Sequence, residues 1–286
     1  KYQFDIVTDF AAWDKYELLV LPDHIVMNEE FTKRLRKHLD KGGAVLSSAW
    51  SGLDPEGKQF VFDEWGCKFL GDDPYDPAFF IPYPELDYAM PAMPITLYQK
   101  GTNIEPTKGQ QLAEIVAPYY NRHWDGEHGF VYLPPDKPTG RAAAVQNGRV
   151  GHFSHPVFTS YITDGQVPMK QFVANMLSRI MPRPLVQTSL PSYARAGVTR
   201  QQDAGVSRRM VHLISYVPER RGNTIDMIEE PIELRDVQVA LRQDGQTPQR
   251  VYLAPEEQPL EFQIVDGYIH TAVPVVPGYA MVVFES

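Results

Sequence analysis

Tyr16-Glu17-Leu18-Leu19-Val20-Leu21-Pro22, then Asn28-Glu29-Glu30-Phe31, then Lys41-Gly42-Gly43-Ala44-Val45-Leu46-Ser47-Ser48 is the stretch that decides the fold. Its first part is an apolar run without alternation, as expected of a parallel strand covered on both faces by helices. Its middle carries every local signal of a helix from Asn28 to about Lys41. Asn28 can cap it, Glu29 and Glu30 sit at the positive end of the dipole, Lys37 and Lys41 near the negative end, and Gly42-Gly43 releases the chain. Phe31, Leu35 and Leu39 recur at four-residue spacing and supply a narrow apolar stripe. Strand, helix and strand within about 30 residues make a βαβ unit. A further strand-like run, Phe4-Asp5-Ile6-Val7, precedes it with no helix between. The opening strand and helix of such a sheet are therefore expected to lie outside these residues, in a larger polypeptide.

Working outward, residues 54–108 change character. Pro55, Pro74, Pro77, Pro82, Pro84, Pro91 and Pro94 interrupt an aromatic-rich stretch, which excludes a long regular element. Phe60, Phe62, Trp65, Phe69, Phe79, Phe80, Tyr83 and Tyr88 are too apolar for a free linker, so an ordered excursion lying over the sheet or against a neighbour is expected. Order resumes at Gly109 with Gln110 to Val116. Arg141 to Val145 and Arg149 to Phe153, joined at Asn147-Gly148, predict a hairpin. Met169, Phe172, Val173, Met176, Leu177 and Ile180 follow helical spacing, with Pro168 in the first turn and Pro182 and Pro184 beyond the end.

After Leu185 the helical signal disappears. Short strands are predicted at 186–190, 194–201, 209–217, 232–241, 250–253, 260–265, 268–273 and 279–284, with Asp244-Gly245 and Asp266-Gly267 as turns. The expected architecture is α/β plus all-β: a truncated flavodoxin-like, class I amidotransferase-like parallel sheet over 1–184 and an antiparallel β-sandwich over 185–286.

Composition narrows the function. The chain has 286 residues and a net charge of −9 at pH 7, with a pI near 5.4. An acidic surface opposes nucleic acid and anionic membrane as main partners and leaves neutral sugar unopposed. No apolar run approaches the roughly 20 residues that span a bilayer. Cys67 is the single cysteine, and no Cys/His cluster has zinc spacing, so neither metal nor cofactor is expected.

A nucleophile needs a strained strand-to-helix turn flanked by glycines. Cys67, in Trp65-Gly66-Cys67-Lys68-Phe69, lacks the second glycine and a preceding apolar strand, and Ser51, in Ala49-Trp50-Ser51-Gly52, lacks the glycine two residues upstream. An inert buried Cys67 outweighs a catalytic one, and no catalytic residue is assigned. Tyr119-Tyr120-Asn121-Arg122-His123-Trp124-Asp125-Gly126-Glu127-His128 gathers rings and polar groups as a sugar-facing loop does, although a loop packing its own aromatics is favoured. His152 and His155 flank a strand end, where open α/β sheets bind ligands. Trp50, Ser51, Tyr119, Asn121, Arg122, Trp124, His128 and His155 are thus the ligand-facing candidates. Glu29-Glu30, Glu229-Glu230 and Glu256-Glu257 are adjacent and diverge, unlike the facing acids of a glycosidase.

On the blocks from Tyr16 to Pro22, Asn28-Glu29-Glu30, Leu35, Lys41 to Leu46 and Ser51-Gly52, the chain resembles the amidotransferase-like trimerisation domain of glycoside hydrolase family 42 β-galactosidases. Ala117-Pro118-Tyr119-Tyr120-Asn121-Arg122, His155-Pro156-Val157-Phe158 with Tyr161, and Arg209-Met210-Val211-His212-Leu213 with Tyr216 are similar to carboxyl-terminal parts of α-L-fucosidase-like glycoside hydrolases. The resemblance implies an upstream catalytic barrel carrying the acid and nucleophile, an α/β domain serving homo-oligomerisation and shaping the sugar site, and a small β domain. Two alternatives stay open: a free-standing amidotransferase- or esterase-like hydrolase using Ser51 or Cys67 with His128 or His155 as base, and a carbohydrate-binding module. Against the module, the sandwich strands show no exposed row of Trp or Tyr.

Overall fold

In the computed structural model, which describes residues 2–8, 10–121, 133–203, 205–245 and 247–286, the leucine-rich run forms β1 (Leu18–Leu21). It leads into α1 (Glu29–Asp40) and β2 (Ala44–Ser48). Asn28 caps α1 as expected, its side chain accepting from the Phe31 amide at 2.8 Å. Leu35 is fully buried, and His38, unanticipated, is buried as well, its Nε2 meeting the Ala44 carbonyl oxygen at 3.0 Å. β1 and β2 pair in parallel, and β2 pairs in parallel with β9 (Val150–Phe153).

The parallel pairing stops there. The intervening strands are β3 (Cys67–Asp72), β4 (Ala78–Pro82), β5 (Ile95–Leu97), β6 (Thr102–Pro106), β7 (Gln110–Pro118) and β8 (Pro135–Asn147). The main sheet has seven strands in the order β1-β2-β9-β8-β7-β4-β5, and β9 to β8, β8 to β7, β7 to β4 and β4 to β5 are all antiparallel. A tight hairpin can join only antiparallel strands, so the turn between β8 and β9 sets the change of sense. That turn also differs from expectation: Asn147 pairs with Val150, leaving Gly148 and Arg149 as the central residues. Gly148 alone has positive φ, at 56°, the glycine-first pattern of a type II′ turn.

The Pro-rich excursion lies over the sheet only in part: Trp65, Cys67 and Ile104 pack on one face of it. β4 and β5 extend it in plane, with Phe79 paired to Val116 and Phe80 to Ile115. β3 and β6 form a separate two-stranded ribbon. Two helices follow, α2 (Val157–Thr163), which the sequence reading missed, and α3 (Val167–Ile180). α3 buries Met169, Phe172, Met176 and Ile180 against Leu46, Phe80, Leu112, Ile115 and Phe153 on one face of the sheet. The opposite face packs Leu35, Trp65, Val45, Val145 and Val150. Gly52, at φ 96°, lets Trp65 close on the backbone, since a Cβ there would lie 2.2 Å from the indole.

β1 alternates, contrary to expectation: Leu19 and Leu21 are buried while Val20 is 42% exposed. As the edge strand of the described sheet, β1 is covered by α1 on the Leu19 and Leu21 face only. Phe4 to Val7 forms no strand. Phe4 and Ile6 are exposed, and Gln3 bonds the backbone of Ala196 and Val198.

The chain divides into two compact units, Val7–Pro182 and Lys1–Ile6 with Arg183–Ser286. The second holds two antiparallel sheets. β10 (Val186–Thr188), β15 (Leu234–Arg242), β19 (Tyr268–Val276) and β18 (Phe262–Val265) form one. β11 (Arg195–Asp203), β12 (Val206–Ile214), β20 (Tyr279–Glu285), β16 (Arg250–Ala254) and β17 (Gln258–Pro259) form the other. β13 (Glu219–Arg220) and β14 (Asp226–Met227) make a small exposed ribbon. Val186, Val211, Leu213, Val239, Leu241, Ile269, Val282 and Phe284 share one core between the two sheets, the arrangement of a sandwich.

Candidate functional site

The carboxyl ends of β1, β2 and β9 are where an open sheet presents polar groups, and Asp23 is the hub there. Both Asp23 and Ala49 have positive φ, 51° and 50°, so each strand turns sharply as it leaves the sheet. The Asp23 carboxylate accepts from Ser48 Oγ at 2.5 Å and from the Thr159 amide and hydroxyl at 2.9 and 2.7 Å. It thereby ties β1, β2 and α2 together, and its capacity is spent inside the fold.

Ser51 lies in the same turn and is fully buried, with Oγ accepting from the Ile25 amide at 2.9 Å. Cys67 is buried, and desolvation pushes its thiol up to about 12. Thiol and hydroxyl alike lack a hydrogen-bonded imidazole among the described residues, so the geometry offers neither an activated nucleophile. Two serine–histidine contacts do occur, unforeseen from sequence: Ser47 Oγ to His152 Nδ1 and Ser154 Oγ to His155 Nδ1, both 2.8 Å. All four side chains are buried, and Trp65 Nε1 donates to Ser47 at 2.9 Å. Both Nε2 atoms lack a hydrogen-bond partner. Burial holds His152 at about 3 and, aided by the charge of Arg141, His155 at about 3, so both rings are neutral. Serine–histidine pairs sealed from solvent hold a fold; they cannot meet a substrate.

The accessible groups converge on Asp72 to Tyr75, a segment the sequence reading passed over inside its Pro-rich excursion. Trp50 stacks on His24 with centroids 4.5 Å apart, and its Nε1 donates to Asp72 Oδ1 at 3.2 Å. Lys100 Nζ stands 3.5 Å from Asp72 Oδ2, with both side chains about half exposed. Behind this rim, Arg141 lies 3.4 Å from buried Asp73 and over the Tyr75 ring at 4.8 Å. Burial pushes the Asp73 carboxyl up, against the Tyr75 amide and the Arg141 charge. Asn121 Nδ2 donates to the Pro74 carbonyl oxygen at 2.9 Å, and exposed Tyr119 and Tyr120 meet edge to face. Of the sequence candidates, then, Trp50 and Asn121 are tied to this segment, and His155 lies near enough to Arg141 to feel its charge. Ser51 points into the fold. Arg122, Trp124 and His128 lie outside the described residues. An indole ledge with a carboxylate and an ammonium at its rim can stack a sugar ring and bond its hydroxyls.

Among the described residues no group of three His, Cys, Asp or Glu side chains could hold a metal ion, and no helix is long and apolar enough to cross a membrane.

Residues 1–70 match the family described as Beta-galactosidase trimerisation domain. Among solved structures, α-L-fucosidase isoenzyme 2 from Paenibacillus thiaminolyticus superposes over 98% of this chain with a TM-score of 0.89 and 30% sequence identity. The chain covers 42% of that enzyme. A cycloisomaltooligosaccharide glucanotransferase from Paenibacillus sp. aligns over 89% of this chain and 49% of its own at 11% identity, and its TM-score of 0.23 carries no argument. The resemblance to family 42 and α-L-fucosidase-like glycoside hydrolases therefore stands on both sequence and fold.

Proposed function

We propose that this chain is the accessory, non-catalytic part of a larger glycoside hydrolase, in which it holds subunits together and walls the sugar site. The observation that carries the reading is the superposition of nearly the whole chain on less than half of an α-L-fucosidase, at a level of identity that goes beyond fold. The burial of Ser51, Cys67, His152 and His155 supports it, because none of these groups can meet a substrate, and the reading assigns the chemistry to a catalytic barrel of the same polypeptide. The trimerisation description of the matched family supports the assembly role. In this reading residues 1–184 keep the β1-α1-β2 and β9 core of a truncated flavodoxin-like, amidotransferase-like domain, 185–286 form the sandwich domain, and Trp50, Asp72 and Lys100 face the carbohydrate.

Light scattering of the purified chain tests assembly directly. The expected particle is an oligomer, three times 32.5 kDa if the family description applies. A nitrophenyl glycoside, ester or glutamine is expected to remain unhydrolysed. Hydrolysis that disappears in Ser51→Ala or Cys67→Ala would overturn the accessory role in favour of a free-standing hydrolase.

A further inference from the structure

The sandwich keeps charge where its alternation calls for hydrocarbon. β11 and β12 pair Val198 with Val211, Arg200 with Arg209 and Gln202 with Ser207. These residues are two apart on each strand, so all six lie on one face. It is the inner face: Val211 is fully buried in the core between the sheets and Val198 packs against that core. One step further along, two arginines stand directly opposite each other. Like charges in that position oppose pairing.

The fold supplies a carboxylate to one arginine of the pair only. The Arg209 side chain is only 15% exposed, and its Nη1 donates to the Arg242 carbonyl oxygen at 2.7 Å. The nearest carboxylate, Asp244, is 3.9 Å from Arg209 and 3.3 Å from Arg242 Nε. Arg200 is exposed and makes no ion pair or hydrogen bond among the described residues. Burial weighs most against the charge on Arg209; Asp244 supports that charge and the neighbouring Arg200 opposes it. The pair opens into a cavity of about 440 Å³ lined also by Gln202, Ser207 and Asp244. That volume suits a small ligand. The lining sets two guanidiniums against one side-chain carboxylate, a local excess of positive charge in a chain of net charge −9.

We propose that this cleft binds an acidic sugar, its carboxylate bridging Arg200 and Arg209 and its hydroxyls meeting Gln202 and Asp244. An anion there would turn the repulsion between the arginines into two charge-assisted hydrogen-bonded contacts. The oxyanion follows from the cleft itself, whereas the sugar rests on the glycoside hydrolase reading above.

Calorimetric titration of the full 286-residue chain with glucuronate, glucose and inorganic sulfate decides the matter. Glucuronate is expected to bind saturably, at least about tenfold more tightly than glucose or sulfate, as charge-assisted bonds plus hydroxyl contacts require. Arg200→Gln is expected to weaken it about tenfold or more with the unfolding midpoint unchanged, and Arg200→Lys, which keeps the charge without the fork, to lie between. Should Arg200→Gln fold poorly, Arg200→Lys alone still reads the site. Absence of saturable binding, sulfate matching glucuronate, or undiminished binding in both variants would each overturn the proposal. A monomer in light scattering would sink the assembly role without touching this site, and loss of glucuronate binding would leave assembly untouched.

Discussion

The two units place the polar groups of their sheets differently. In the Val7–Pro182 unit, Asp23, Ser48 and Thr159 satisfy one another at the strand ends, and Ser47 is held by His152 and Trp65. In the sandwich, Arg200 and Arg209 sit on the inner face, open to a cavity and without a compensating acid on Arg200. Buried and mutually bonded polar groups belong to the architecture; a polar group left unpaired beside open volume is where a ligand can supply the missing partner. The distinction also separates the serine–histidine contacts, which resemble catalytic parts by distance alone, from the Trp50–Asp72 rim, whose groups can be reached.

The contrast breaks most visibly with acid. His152 and His155 sit near 3 in the fold against about 6.5 unfolded, so the unfolded chain binds more protons as pH falls between those values. Their contribution is complete above about pH 6.5 and lost below it, at up to about 1.4 kcal/mol per pH unit for each ring. His38, depressed chiefly by burial, has the same sign, while Asp73, raised chiefly by burial, opposes it in the carboxylate range. Stepwise denaturant unfolding from pH 7 to 4.5, followed by fluorescence of the four tryptophans, all within this unit, should show the Val7–Pro182 unit weakening. An unchanged midpoint would mean that these rings are not neutral and sealed.

Next in size, Asp23→Ala strands the Thr159 amide and two hydroxyls without their acceptor, and should cost about 2–4 kcal/mol in chemical denaturation. A loss below 0.5 kcal/mol, roughly the level of an ordinary surface change, would show Asp23 to be no hub. Ser51→Ala removes only the acceptor of the Ile25 amide, so about 1 kcal/mol is expected. The smallest effect belongs to a pair outside both cores. Arg36 and Glu64 make a two-pronged contact at 2.6 and 3.0 Å, yet each side chain is more than a third exposed. A double-mutant cycle there should return a coupling of roughly 0.5 kcal/mol that fades in high salt.

The elements with strong local signals were legible: α1 from its asparagine cap and glycine exit, α3 from its apolar spacing, and the β8–β9 hairpin from Asn147-Gly148. The main strands of the sandwich were readable from short apolar runs divided by turns. β4 and β5 were not, because prolines around them masked strands placed by the pairing of β4 with β7, distant in sequence, and of β5 with β4. Asp72 to Tyr75 went unnoticed for the same reason: Trp50, Asn121 and Arg141 reach that segment from three separate parts of the chain. Ser51 stood out by its neighbours in sequence, yet its hydroxyl serves the Ile25 amide.

By itself, then, the sequence determined where chain segments are helical or extended, that the charge is acidic, and that no nucleophile elbow is present, since these depend on neighbours a few residues away. Only the tertiary structure decided the pairing of β4 with β7, the burial of His152 and His155, and the meeting of Arg200 with Arg209. Each of these depends on register between strands, and register places a side chain inside or outside according to its partner.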